Sequence, residues 1–306
     1  MADFEVTILG SSSATPTFTR NPSAQVVQLL GRYFLIDCGE GTQIQLRRFR
    51  IKFQKINQVF ISHLHGDHYL GLMGFLQTLH LLGRTYPLQL YAPEPLKEII
   101  DIQLKYSETT LRYPLEFYAI NTLQHIKIWE DNCVEIYTLP LKHRIACAGF
   151  LIKEKEKLFS LKKEKIAQYN ISVAALKSIK EGNDFITEDG KIIPNNELVY
   201  PKQKPRSYAY CSDTAYLPND LPSLINGVNL LYHESTFLSS HQQRATETLH
   251  STAQQAAHIA YLSNVKKLLL GHFSARYPRL DDFLSEARVI FPETYLVEEG
   301  KTYIVD

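Results

Sequence analysis

Residues 59–72, VFISHLHGDHYLGL, place His63, His65, Asp67 and His68 within six positions. An apolar run predicts a strand leading into them, and a glycine-punctuated apolar segment follows, so the cluster falls where a strand ends. Two readings are open on this stretch alone: a polar turn that contains histidine, or a loop that holds metal. In a turn leaving a strand, residues two apart can point into one space while the next pair swings toward a neighbouring one. That pattern suits two ions sharing one loop, with imidazole and carboxylate as donors for zinc, iron or manganese. Gly66 is expected to permit the sharp backbone turn between His65 and Asp67. One loop cannot complete two coordination shells, so further ligands must come from elsewhere, and other strand ends are the candidates.

The rest of the chain supplies such ends. FEVTILG, AQVVQLLG and RYFLIDCG read as strands, the last two joined at Gly31, and EGTQIQLRRF has helical spacing. INQVFISH is the strand that delivers the cluster, followed by helix YLGLMGFLQTLHLLG, strand PLQLYAP, helix PLKEIIDIQLKYS and short β-like runs from Leu115 to Ile152. SYAYCSDTAY, VNLLYHESTF, KKLLLGHFS and KTYIVD read as further strands, with helices STAQQAAHIAYLS and LDDFLSEARVIF between them. His143 follows VEIYTLPLK, Asp213 follows RSYAYC, and His272 follows VKKLLLG. One histidine past a strand is more often structural; these three together with the cluster favour a metal site.

With 306 residues, 44% hydrophobic and 21% charged, the chain can bury one large core or two smaller ones. Its formal net charge of +1 means that a nucleic-acid partner would have to be met by a local basic patch. Cys38, Cys133, Cys147 and Cys211 are scattered without a CxxC, as expected of reduced thiols. No apolar run reaches the roughly 18–20 residues that span a bilayer, and MADFEVTILG has no cationic leader; a soluble, cytoplasmic protein with no membrane partner is expected. Between residues 153 and 205 the texture changes to a lysine-rich segment that includes Lys162, Lys163, Lys177 and Lys180, with EDGK as a tight turn. Interleaved acids make a solvated helical hairpin the reading that charge patterning alone supports.

SHLHGDH is similar to the HxHxDH motif of the metallo-β-lactamase superfamily. Within it, LIDCGEGTQIQL, FISHLHGDHYLGLMGFL, YHESTF, LHSTAQQAA and LGHFSARY resemble, in order and over essentially the whole chain, the motifs of the ribonuclease Z family of tRNA 3′-processing endonucleases. The resemblance implies an α/β metallo-β-lactamase fold, a four-layer αββα sandwich formed by residues 1–306 as one domain, with residues 153–205 as a protruding basic arm that binds tRNA. It implies two Zn2+ per subunit: one on His63, His65 and His143, the other on Asp67, His68 and His272, with Asp213 bridging both. Asp67 would also accept the proton of the attacking water. Glu234 and His250 match further active-site positions, His250 as the acid for the leaving oxygen and Glu234 as its partner, while Ser251 or Thr252 would cap the following helix. Arg276 is a phosphate-binding candidate beside His272, with a surface ion pair as the alternative. Arg20 lies in SSSATPTFTRN, which resembles the family loop near the tRNA 3′ end.

The implied activity is cleavage of precursor tRNA 3′ of the discriminator base, by a homodimer in which one subunit's arm holds tRNA for the other. The segment AQYNISVAALKSIKEG departs from the family by lacking the arm's glycine-proline element. Two rivals use the same residues: a hydrolase of small phosphodiesters or sulfate esters, and a binding module without catalysis. The basic segment speaks against the first, and the complete ligand set against the second.

Overall fold

In the computed structural model, which describes residues 4–306, the chain divides into two compact units. Of the described residues, the larger comprises 4–130, 135–153 and 206–306, and the smaller 131–134 and 154–205.

The first half of the larger unit supplies β1 (Phe4–Gly10), β2 (Ala24–Leu29), β3 (Arg32–Cys38), β4 (Ile56–Phe60), β5 (Leu88–Ala92), β6 (Leu115–Ala119), β7 (Lys127–Glu130), β8 (Val134–Leu141) and β9 (Cys147–Glu154). The smaller unit carries β10 (Ser160–Leu161), β11 (Phe185–Ile186), β12 (Ile192–Ile193) and β13 (Val199–Tyr200). β14 (Ser207–Cys211), β15 (Leu230–Glu234), β16 (Lys267–Gly271), β17 (Thr294–Leu296) and β18 (Thr302–Ile304) complete the set. One seven-stranded sheet runs β18-β1-β2-β3-β4-β5-β6, the other β17-β16-β15-β14-β9-β8-β7. Both are mixed: β3 to β6 are parallel, as are β14 to β17, and antiparallel strands flank them.

Alternation along the strands explains the layering. Leu35, Val59, Ile61 and Leu90 pack outward against Leu72, Phe75, Leu76 and Leu79 of the helix Leu72–Leu81 and Leu96 and Ile100 of the helix Leu96–Tyr106. Their neighbours Phe34 and Phe60 point the other way and meet the second sheet, Phe34 against Trp129 (5.2 Å between ring centroids) and Phe60 against Phe150 (5.4 Å). The helix Ala253–Leu262 packs on β15 and β16 and on the helix Asp281–Arg288. These are the four αββα layers of the expected sandwich. Thr252 caps Ala253–Leu262 in a capping box with Gln255.

The smaller unit is not a solvated helical hairpin. Its strand pairs β10–β13 and β11–β12 and its short helices Lys163–Gln168, Leu176–Glu181 and Asn195–Leu198 surround Ile171, Ile179, Ile193, Leu198 and Val199. Five aliphatic residues spread through a lysine-rich segment are enough to form a core, which charge counting overlooks. EDGK does turn, with Gly190 at φ +82° and Thr187 N–H donating to Lys191 O. Lys163, Lys177 and Lys180 are exposed, and Lys162 donates to Asn196 O at 3.1 Å. Among the described residues no helix is long and apolar enough to cross a membrane.

Phe60→Ala should lower the unfolding free energy by about 3–5 kcal/mol in a urea titration, whereas Phe18→Ala, at a fully exposed ring, should stay within about 0.5 kcal/mol. A loss at Phe60 below about 1 kcal/mol would show that aromatic packing between the sheets is not what holds them.

Candidate metal centre

β4 stops at Phe60 and the chain stays extended through His65 before the one-turn helix Gly66–Tyr69. His63 and His65 therefore face one space, and Asp67 and His68, on the helical turn, face the next. Gly66 has helical backbone, so conformational freedom is not its reason for being there; a Cβ would instead strike the Leu70 side chain at 2.7 Å. The tighter constraint lies at Gly39 and Gly71. A Cβ on Gly39 would fall 2.4 Å from Asp67 O, and one on Gly71 would fall 2.0 Å from Gly39 O, so the loop after β3 can press against the cluster only without side chains.

His143, Asp213 and His272 arrive from the ends of β8, β14 and β16. Three sets of potential ligand atoms result, each lying within 4.8 Å: Asp213, His250 and His272 form one, and the expected ligands form the other two, His63, His65, His143 and Asp213, and then Asp67, His68 and His272. Asp213 divides itself between them. Its Oδ2 is 3.6 Å from His63 Nε2 and 3.7 Å from His143 Nε2, while its Oδ1 is 3.1 Å from His272 Nε2 and 3.4 Å from His68 Nε2.

The second nitrogens decide the tautomers. His68 Nδ1–H donates to Asp37 Oδ2 at 2.7 Å, and His143 Nδ1–H to Leu249 O at 3.0 Å. Ser62 Oγ donates to Asp37 Oδ2, so it accepts from His63 Nδ1–H at 3.0 Å. Thr236 Oγ1 donates to Glu234 Oε2, so it accepts from His272 Nδ1–H at 2.9 Å. Four Nε2 lone pairs thus converge, joined by His65 Nδ1, which lies 3.1 Å from both His63 Nε2 and His143 Nε2. The buried Asp213 Oδ1 has no hydrogen-bond donor although two nitrogens are close, because those nitrogens present lone pairs as well. Facing lone pairs are satisfied by a cation. Nitrogen ligands about 2.0–2.1 Å from a tetrahedral ion stand roughly 3.4 Å apart, and the separations here are 3.1–3.4 Å. The donor set fits a bound metal.

The field agrees. Burial penalises charge on His68, yet Asp67, Asp213 and Asp37 raise its pKa well above the ordinary value. Burial also opposes charge on Asp213, and His272 and His68 nevertheless hold it well below the usual carboxylate range. His63 goes the other way, lowered by burial and by His68. Carboxylates strong enough to lift a buried imidazole are the same ones that favour a cation between the rings.

Beside this set, Glu234 is fully buried and accepts from five donors: Thr214 N, His250 Nδ1 and Ser251 N at Oε1, and Thr236 N and Oγ1 at Oε2. His250 Nδ1 sits 2.9 Å from it. Burial would lower His250, but Glu234 and Asp213 raise it to about 9, so it carries a proton at neutral pH. Backbone strain gathers here too, since Asp37 (φ 55°), Leu249 (φ 56°) and His272 (φ 59°) are all left-handed.

His65, Asp67, Asp213, His250 and His272 line an open cleft of about 620 Å³ walled by Ser13, Ala14, Thr15 and Pro16. Arg276 lines it, and so do Arg144 and Arg244, which lie outside the motifs. Arg20 does not. Its guanidinium donates to Tyr277 O and Ser274 O, so its fork is spent on bracing backbone. Asp37, Ser62, Thr236 and Tyr210, whose hydroxyl donates to Asp37 Oδ2 at 2.6 Å, also take part; Asp37, Ser62 and Thr236 lie inside the motifs LIDCGEGTQIQL, FISHLHGDHYLGLMGFL and YHESTF, the one signal the sequence offers. The other histidines have local tasks: His80 accepts from Arg112 N, His125 donates to Thr138 O, and His258 bonds Tyr216.

The family model described as anti-Pycsar protein Apyc1 matches residues 4–174, a span that ends before Asp213, Glu234, His250 and His272. Relatives match nearly the whole chain. Ribonuclease Z of Parabacteroides distasonis is 46% identical over 300 residues, covering 98% of each chain, and that of Cytophaga hutchinsonii is 47% identical over 304 residues, covering 99% of this chain and 96% of its own. The crystal structure of human tRNase Z, short form (ELAC1), superimposes with a TM-score of 0.72 at 27% identity over 99% of both chains. The metallo-β-lactamase fold protein YhfI of Bacillus subtilis matches at 0.69 with 17% identity, a likeness of fold. Fold and site together define a metallo-β-lactamase-fold hydrolase with a His/Asp cluster that could hold metal. The chain belongs to the ribonuclease Z family, endoribonucleases that hydrolyse RNA phosphodiester bonds.

Asp37→Ala should weaken metal binding about 10–100-fold, as loss of a partner that orients a ligand imidazole does. Competition with a chromophoric chelator reads this directly, and unchanged affinity would remove Asp37 from the site.

Proposed function

We propose that the protein is a zinc-dependent tRNA 3′-processing endoribonuclease that cuts precursor tRNA 3′ of the discriminator base. The observation that carries the reading is Asp213 facing His63 and His143 with one oxygen and His68 and His272 with the other, beside a buried Glu234–His250 pair. His63, His65 and His143 would hold one Zn2+, Asp67, His68 and His272 a second, and Asp213 would bridge them. Such a pair, when bound, makes water acidic near neutrality and draws charge from phosphate oxygens.

The remaining steps belong to the chain. Asp67 accepts the proton of the water whose oxygen bonds phosphorus in line. The bond from phosphorus to the ribose 3′-oxygen breaks, and His250, with Nδ1 tied to Glu234, gives its proton to that oxygen from Nε2. The products are a tRNA 3′-hydroxyl and a trailer with a 5′-phosphate. Arg144, Arg244 and Arg276 at the cleft supply charge for flanking phosphates. Residues 153–205 serve as the tRNA-binding arm, with Lys163, Lys177 and Lys180 exposed and Lys162 half-buried for phosphate contact, and the working form is a homodimer in the cytoplasm. The tRNA substrate is supported by the names of the relatives and of the human structure, and the arm by the lysine content of this segment.

Zinc-loaded protein should trim a 3′-extended tRNA at the discriminator; failure to cut it, with bis(p-nitrophenyl) phosphate still hydrolysed, would favour a small-diester hydrolase. His250→Ala should lower turnover about 10²–10⁴-fold with metal content unchanged, and loss of metal would make His250 structural. Deleting residues 155–200 should cripple tRNA cleavage and spare the small ester, while equal loss of both would reject the arm.

A further inference from the structure

One wall of the cleft, beside the strand end that bears His272, is a loop that is braced from the far end of the chain. β17 and β18 belong to different sheets, and the link between them carries Glu299. Its carboxylate accepts five hydrogen bonds. Oε1 takes Ser11 N (3.1 Å), Ser11 Oγ (3.1 Å) and Asn21 N (2.7 Å). Oε2 takes Asn21 Nδ2 (2.7 Å) and Gln45 Nε2 (3.0 Å). Ser11 and Asn21 are the two ends of the segment whose middle, Ser13 to Pro16, lines the cleft. Backbone bonds already join the two feet, Ser11 N–H and Ser12 N–H both donating to Asn21 O at 3.0 and 2.9 Å, and Glu299 reinforces that junction with one side chain that grips both feet.

The loop has no apolar core of its own to hold it. Phe18 is fully exposed, and Thr17 N–H donates to Arg20 O in a tight turn. Other ties run to the strand end that bears His272: Ser13 N–H donates to Phe273 O, Phe273 N–H to Ser11 O, and Arg20 to Ser274 O and Tyr277 O. A Cβ on Gly10 would lie 1.6 Å from Pro22 O, so the feet are packed as closely as backbone allows. A carboxylate with five donors is worth more here than an amide, because charge strengthens each bond.

We infer that Glu299 is a positioning residue for substrate recognition: it holds the Ser11–Asn21 loop as the wall against which the RNA lies. The inference rests on the endoribonuclease reading. A small diester, reaching only the metal cluster and His250, does not need the wall; a polynucleotide crossing the cleft does. Glu299→Gln is the discriminating change. Its amide oxygen can keep the bonds at Oε1, but its NH2 meets the NH2 groups of Asn21 and Gln45, donor against donor. Asn21→Asp added to it restores an acceptor opposite the new amide.

Steady-state kinetics on 3′-extended tRNA and on bis(p-nitrophenyl) phosphate are compared for wild type, Glu299→Gln, the Glu299→Gln/Asn21→Asp pair, and Glu298→Gln, whose side chain pairs with Lys301 on the surface. For Glu299→Gln, KM for RNA should rise about tenfold, the size of one lost charged bond in binding. Its kcat on RNA, its rate on the small ester and its metal content should stay within twofold. The Asn21→Asp partner change should recover at least half of the lost affinity, and Glu298→Gln should match wild type. An unchanged KM, a parallel fall on both substrates, or no rescue overturns the inference. A wild-type protein inert on RNA overturns the endoribonuclease reading and this one with it, so the two failures are distinguishable.

Discussion

The arrangement turns on Asp213. A carboxylate buried between four imidazole nitrogens, with one oxygen lacking any donor, is an expensive feature unless something cationic lies on either side of it. Everything around it enforces that geometry. Asp37, Ser62, Thr236 and Leu249 O take the outer N–H groups of the histidines and so turn the lone pairs inward. Three left-handed residues, Asp37, Leu249 and His272, hold strained backbone at the same place. Strain of roughly 1–3 kcal/mol per such residue persists only when its surroundings over-determine it.

The sandwich exists to make that convergence possible. Asp37 and the His63–His68 loop belong to the first sheet, and Asp213, Glu234 and His272 to the second. The bond from Tyr210 on β14 to Asp37 on β3 joins the two sheets next to the ligands, and the Phe60–Phe150 contact fixes their spacing behind it. Packing and ligation are therefore one problem, solved by strands that alternate aromatic residues toward the partner sheet with aliphatic residues toward the helices.

Much of this was legible in the chain because it is local. Strand alternation, helix spacing and the position of His143, Asp213 and His272 just past strands are short-range patterns, and the structure places all seven ligand-type residues together. The unread parts are long-range. Nothing near His68 announces Asp37, thirty-one positions away, and nothing near Arg20 announces the carbonyls of Ser274 and Tyr277 that occupy it. The lysine-rich segment concealed a small core because five aliphatic side chains are spaced without helical or strand periodicity. At Gly66 the nearby Leu70 side chain, and not φ, is what excludes a Cβ, a contact that the residue type alone does not announce.

Anomalous diffraction from zinc-loaded crystals, collected on either side of the zinc edge, tests the central claim without reference to activity. Two zinc peaks should appear, one against His63, His65 and His143 and the other against Asp67, His68 and His272, with one oxygen of Asp213 directed at each. A single peak, or two peaks with Asp213 bound to only one of them, would contradict the account.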